Sequence, residues 1–398
     1  MATVVVSTHN VMNFPDGGGH FWVYMQYIEG LRRAGCDVYW LEQFRPYKDT
    51  QYNAKLIASF VERMHQWGMR DRMVLYVLPD STSASGDISP EYINVGSQQA
   101  EDIVKRADLL LNFNYRMPPQ LLARFRRTAL VDIDPGLLQV WISIGQIRPA
   151  PHDYYLTTGE TVGTEQARFP SCDINWIHFR PPICLERWPY VHDPDCEAFT
   201  TVAGWWSGEW VREIVDGRSV LYENNKRVSF LEFASLPQLT SQPLELALLM
   251  SKNDGAERKL LEDHGWRIQD SRDVAATPEM YQAYIQRSRG EFSCAKPSCM
   301  KLQNAWVSDR TLCYMASGKP AVVQDTGPST ILPNGLGMFR FSTMEEAADA
   351  LRAVNTDYAR HCRAARELTE AYFDAKTIAR RNLDATLALV QPPPHLPP

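Results

Sequence analysis

The feature that most constrains this 398-residue chain is an alternation. Short runs of apolar, often β-branched residues recur between longer amphipathic stretches, the pattern of parallel strands joined by crossover helices. Residues 3–7 predict a first strand, 21–34 a helix stopped by Gly35, and 37–41 a second strand. Helix 57–67, strand 73–77, helix 98–106, strand 109–113, helix 119–126 and strand 129–133 continue the series. Together they predict one Rossmann-like domain, expected over residues 1–180.

The alternation stops where Pro181, Pro182, Pro189 and Pro194 punctuate the chain, so 181–196 is expected to be an interdomain linker. It then resumes with strand 199–203, helix 226–233, strand 244–248, helices 256–264 and 278–287, strand 290–293, helix 308–316, strand 320–324 and helix 343–354. This predicts a second Rossmann-like domain over 197–368. The helical composition of 357–390 predicts a long C-terminal helix, its 369–390 part crossing back toward the first domain, before a Pro-rich tail at 391–398. The fold class is therefore α/β, with two Rossmann-like domains facing a cleft.

Composition narrows the function. With 41 basic and 47 acidic residues the net charge is −6, and no long Lys/Arg run is present, which disfavours a large nonspecific duplex-binding surface. The eight cysteines form no Cys-x-x-Cys pair, so free thiols are expected rather than a zinc ribbon or redox motif. The N-terminal residues read directly into a strand, with no basic n-region and no long apolar stretch, so a cytoplasmic location is expected.

Ligands of open α/β sheets bind beyond the strand C-termini, so the loops there carry the functional reading. Gly17, Gly18 and Gly19 after the first strand let backbone approach a ligand, and the helix start beyond them favours negative charge. The loop is neither Gly-x-Gly-x-x-Gly nor a Walker A sequence. His20 beside it is the candidate base for a hydroxyl proton, and Asp134, at the end of the fifth strand, is the candidate to orient it. In the second half Ser293, Lys296, Ser308, Asp309 and Arg310 collect donors suited to a diphosphate, and Gln324, Asp325, Thr326 and Gly327 form a polar loop suited to a sugar. Trp205 and Trp206 follow the second domain's first strand and are candidate acceptor platforms.

Those residues also carry a resemblance. The segment S-D-R-T-L-C-Y-M-A-S-G-K-P-A-V-V-Q-D-T-G at 308–327, followed by G-L-G-M-F-R-F-S-T-M-E-E-A-A-D-A-L at 335–351, resembles the nucleotide-sugar half of GT-B glycosyltransferases. The part from Arg310 to Gly318 is similar to the R-T-F-E-A-L-A-C-G segment of the CgeB-like, glycosyltransferase family 1-like group. Residues 17–42 look like a GT-B opening, with a glycine loop before the first helix. One departure stands out: the two glutamates eight positions apart of glycogen-synthase-like retaining enzymes correspond here to Ala305 and Cys313. Asp309 or Glu291 is then expected to take over the ribose.

The resemblance implies transfer of a hexose-type sugar from a nucleoside diphosphate donor to a hydroxyl acceptor; the missing glutamate pair points to inversion, and the lack of metal-ligand motifs to a reaction without a metal or other cofactor. The only Asp-x-Asp in a suitable place is Asp132/Asp134, whose strand spacing parts the carboxylates. Alternatives on the same fold are a sugar-nucleotide epimerase or hydrolase, a nucleic-acid base glucosyltransferase and a non-catalytic nucleotide-sugar binding protein.

Overall fold

The structure is a computed structural model that describes residues 1–79, 89–215 and 218–387. The first half runs β1 (Thr3–Ser7), α1 (Gly18–Arg33), β2 (Asp37–Gln43), α2 (Thr50–Gln66), β3 (Met73–Val77), β4 (Glu91–Tyr92), α3 (Ser97–Arg106), β5 (Leu109–Asn112), α4 (Pro119–Leu122), β6 (Thr128–Asp132), α5 (Leu137–Ser143), β7 (Tyr154–Thr157) and β8 (Trp176–His178). These strands form one eight-stranded sheet in the order β4-β3-β2-β1-β5-β6-β7-β8, parallel except for β4. The buried run Val4-Val5-Val6 explains the central place of β1: Val4 and Val6 enter the layer under α1 and α2, and Val5 enters the opposite layer with Ala100 and Ile103 of α3.

The second half runs β9 (Phe199–Gly204), β10 (Trp210–Val215), β11 (Arg218–Glu223), α6 (Lys226–Glu232), β12 (Leu244–Leu249), α7 (Gly255–Asp263), β13 (Arg267–Asp270), α8 (Ser271–Ala275), α9 (Pro278–Gln286), β14 (Gly290–Ser293), α10 (Pro297–Leu302), α11 (Asp309–Ala316), β15 (Ala321–Gln324), β16 (Met338–Phe341), α12 (Met344–Thr356), α13 (Tyr358–Tyr372) and α14 (Ala375–Leu387). Its parallel sheet has the order β13-β12-β9-β14-β15-β16, and β10 and β11 form a separate antiparallel hairpin. The doubly wound architecture with two parallel sheets is thus the one the alternation predicts. All eight cysteines are free. Among the described residues no helix is long and apolar enough to cross a membrane.

Three local expectations change. α1 starts at Gly18, so Gly18, Gly19 and His20 form its first turn instead of a preceding loop. The expected linker is an anchored strut: Trp188 is fully buried against Trp22 of α1, with ring centroids 4.9 Å apart. The continuous C-terminal helix is broken at Phe373–Asp374, where Ile183 donates to the Phe373 carbonyl and accepts from Ala375 N–H, at 2.8 and 3.0 Å. α14 then packs on α1, closely enough that a Cβ on Gly30 would lie 2.5 Å from the Ala375 carbonyl oxygen. The helix therefore does return to the first domain. Residues 388–390 of the expected helix and the 391–398 tail lie outside the described residues.

Candidate active site

In both sheets the strand order reverses around one strand: β1 lies between β2 and β5, and β9 between β12 and β14. Such reversal points splay the adjoining loops and open a crevice at the strand C-termini. Here the two crevices meet in one cavity of about 300 Å³, lined by the start of α1, the end of β9, Lys226, α8, α9, Lys296 and the start of α11.

The α1 wall comes very close to the second domain. A Cβ on Gly18 would lie 2.3 Å from the Thr277 carbonyl oxygen, and one on Gly19 2.7 Å from the Tyr281 ring. These glycines let α1 seat its first turn against α8 and α9, and Trp22 Nε1 fixes the contact by donating to the Pro278 carbonyl at 2.9 Å. The N–H groups of that first turn point out of the helix beside the cavity, where a helix start favours negative charge.

His20 lines the same cavity. Its Nε2 lies 2.8 Å from the His9 carbonyl oxygen. A carbonyl only accepts, so Nε2 carries the proton and Nδ1 keeps a free lone pair. Burial lowers the pKa of the ring, against the opposing hydrogen bond and the charges of Asp309 and Asp134, so the imidazole is neutral near pH 7. Phe14 and Tyr24 stand edge-on to it, with centroids 6.0 and 5.4 Å away. The His9 carbonyl is in turn placed by Glu42, a buried carboxylate that accepts from Thr8 Oγ1 at 2.5 Å and from Met12 N–H at 2.9 Å.

This corrects the role expected for Asp134, which does not hold His20. Asp134 accepts from the Tyr115 hydroxyl at 3.3 Å, and its own N–H donates to Asp132 at 3.0 Å. Asp132 is a fully buried anchor for the ends of β6 and β7, accepting from Gln139 and Thr157 at 2.8 Å each. Burial pushes its carboxyl up to about 7.

On the other wall the cations sort into two kinds. Arg310 is buried and already committed: Nε donates to Glu291 at 2.7 Å, Nη1 to the Val202 carbonyl at 3.0 Å and Nη2 to Ser293 Oγ at 2.5 Å. It ties β9, β14 and α11 together at the cavity floor, and Glu291, fully buried, cannot reach a ribose. Lys296 lines the cavity but is paired with Glu209 at 2.6 Å. Lys226, which the sequence reading placed only at a helix start, has no hydrogen bond or ion pair to any described residue. Burial, then the charges of Arg310 and Lys296, pull its ammonium down to about 7. It lies 5.9 Å from the Trp306 ring centroid. Asp309, also in the cavity wall, has a pKa raised by burial, and Ser308 caps α11 by accepting from Arg310 N–H.

The remaining candidates lie elsewhere. Trp205 is fully buried in the second domain's core, stacked with Phe230 and bonded to Glu257 at 2.6 Å, so it is no acceptor platform. Trp206 is exposed, but it bonds to Asp254, carries Arg227 4.3 Å over its ring and lies outside the cavity lining. The 324–327 loop is turned to the protein: Gln324 accepts from Ala295 N–H, Asp325 pairs with Arg340 and Thr326 donates to the Trp306 carbonyl. Gly327 sits at φ +126°, with a Cβ there 2.6 Å from the Gln303 carbonyl oxygen. Ser293, Gln324 and Thr326 line a neighbouring void of about 20 Å³, room for one water. Among the described residues no cluster of three or more His, Cys, Asp or Glu side chains is placed to hold a metal ion.

Comparison with solved structures places the architecture. An α-glucosyltransferase in complex with UDP superposes with a TM-score of 0.60 at 11% identity, covering 97% of this chain and 99% of its own. HepE from Anabaena, in complex with UDP and glucose, gives 0.56 at 10% identity, over 98% and 100%. Sucrose-phosphate synthase from Thermosynechococcus elongatus gives 0.53 at 12% identity, over 97% and 98%. No protein-family model matches the sequence, and no curated protein does. The chain has the GT-B fold.

Proposed function

We propose that this GT-B chain is a glycosyltransferase, which moves a sugar from a nucleoside diphosphate donor to a hydroxyl acceptor with inversion. The observation that carries the reading is the pairing, in one cavity between the domains, of an unpartnered, half-buried cation, Lys226, with a neutral imidazole, His20, whose Nδ1 is free. UDP is the first nucleotide to test, because two of the similar structures hold it. The resemblance of the 310–318 segment to the CgeB-like group is in keeping with the same class.

In this mechanism the acceptor oxygen bonds to the anomeric carbon as that carbon's bond to the diphosphate breaks. The acceptor proton goes to His20 Nδ1, and the electron pair leaves with the diphosphate. Lys226 and the first-turn N–H groups of α1 stabilise the departing charge, the role a divalent cation fills elsewhere, so transfer is metal-independent. Lys296 and Arg310, already neutralised, hold the wall in shape.

The test is release of UDP from a UDP-sugar with and without a panel of hydroxyl acceptors, in EDTA, with the product's anomeric configuration read by NMR. Acceptor-dependent release with inversion supports the proposal. Turnover without any acceptor favours an epimerase or hydrolase, and tight binding without turnover a non-catalytic binding protein.

A further inference from the structure

A second cavity, of about 410 Å³, shares no lining residue with the first. It lies where three parts of the molecule meet: the end of β8 with Phe179 and Arg180, Thr330 on the loop after β15, and α14. We propose that it binds a small hydroxylated organic phosphate, a sugar phosphate in chemical class.

Three polar groups in its lining have no hydrogen bond to any described residue, and a fourth keeps one ring nitrogen free. Arg180 and Arg381 make no hydrogen bond or ion pair with any described residue, and Arg180 leans on Tyr372 with its guanidinium carbon 5.1 Å from the ring centroid. Asn382 is only 6% exposed, yet no described residue bonds its side-chain amide. His178 donates Nε2–H to the Val162 carbonyl at 2.8 Å, which leaves Nδ1 as an acceptor.

The acidic side chain in the lining, Glu160, is already satisfied. It accepts from Ser329 Oγ at 2.6 Å and from Thr330 N–H and Oγ1 at 3.0 Å each, which ties the first domain to the second. Two guanidiniums against one bonded carboxylate leave the cavity net positive. A phosphate monoester carries about two charges at neutral pH and offers oxygens that match the guanidinium fork, so one group answers both arginines. His178 Nδ1 and the Asn382 amide suit sugar hydroxyls, and Ile177, Phe179 and Ile378 cover the carbon skeleton. A ligand there is held by both domains and by the crossover helix at once.

Calorimetric titration of the full chain with glucose 6-phosphate, inorganic phosphate and glucose tests the proposal. Glucose 6-phosphate should bind more tightly than phosphate, and glucose should not bind. Arg381→Ala, at an exposed position that folding does not need, should weaken glucose 6-phosphate about tenfold or more, the loss expected for one charged hydrogen bond. Asn382→Ala should also weaken it. Lys226→Met should leave it unchanged, which separates this site from the donor cavity. No binding of glucose 6-phosphate, equal binding of phosphate, indifference to Arg381→Ala, or loss in Lys226→Met would each overturn the proposal.

Discussion

Replacing Lys226 by Met should weaken the donor and strengthen the fold at the same time. The half-buried ammonium stands near Arg310 and Lys296 with no described partner, and its pKa sits at about 7 rather than 10.5. A folded-state pKa below the unfolded value means that the charged form is penalised on folding. That penalty is fully present below pH 7 and fades as the pH rises toward 10.5, so Lys226→Met should raise the melting temperature most at pH 6. A bound diphosphate reverses the penalty by pairing the charge. One charged hydrogen bond contributes about 1.5–3 kcal/mol, so the variant should bind UDP-glucose about ten- to hundredfold more weakly.

The pH dependence follows from the same linkage. UDP-glucose keeps a constant charge between pH 6 and 8.5, while the free lysine loses its proton through about 7. Wild-type affinity should therefore fall about seven- to twentyfold from pH 6 to 8.5, with proton uptake on binding, and the variant should be nearly flat. His20 and Asp309 face the same cavity, and both remain in the variant, so any slope they contribute survives there. Calorimetric titration in buffers of different ionisation enthalpy reads both affinity and proton uptake. Equal affinity in the two proteins, or a wild-type affinity independent of pH, would refute the assignment of Lys226.

His20→Gln should lower kcat about 10²- to 10⁴-fold with UDP affinity unchanged, as expected for loss of a general base. Because burial lowers the His20 pKa, the wild-type rate should hold through neutral pH and fall only below the ordinary imidazole range, which a kcat profile reads. Arg310→Met should destabilise the protein by about 3–5 kcal/mol in a urea melt, because it leaves Glu291 charged, buried and unpaired. Gly18→Ala should cost about 1–3 kcal/mol, since the new methyl meets the Ala275 and Thr277 carbonyls at 2.5 and 2.3 Å, and a variant as stable as the parent would remove the close-packing account of that glycine.

Much of the scaffold was legible because its signals are local. β1 matches the apolar run at 3–7, and Gly35 ends α1 at φ +92°, a conformation that other residues adopt reluctantly. The break between α13 and α14 was not legible, because the 357–390 stretch is helical in composition and the interruption comes from Ile183, far away in sequence. The β10–β11 hairpin was missed as well: its described side chains on β11 are largely exposed, so no buried apolar run marks it.

The site divides in the same way. His20 and the glycines could be found because they sit together after a strand. Arg310 and the 324–327 loop were read as free ligands, but a sequence does not say which polar groups are consumed by partners such as Glu291, Arg340 and Ala295 N–H. Lys226 was hidden for the opposite reason. It belongs to no motif, and only the meeting of α6 with β9 and α11 turns an ordinary helix-start lysine into a cation of the cavity wall. The one local hint was the Asn224-Asn225 pair before it, a helix-start signal that follows the hairpin.

The central claim is that the cavity between the two domains receives a nucleoside diphosphate sugar. The direct measurement is the melting temperature of the protein with UDP, GDP, dTDP and ADP, each free and glucose-linked, in EDTA. A ligand at a hundredfold excess over Kd stabilises the native state by about 2.7 kcal/mol, well within reach of the assay. A shift selective for one base, present without a metal and diminished in Lys226→Met, is the predicted result. Melting curves that no nucleotide moves would contradict the claim.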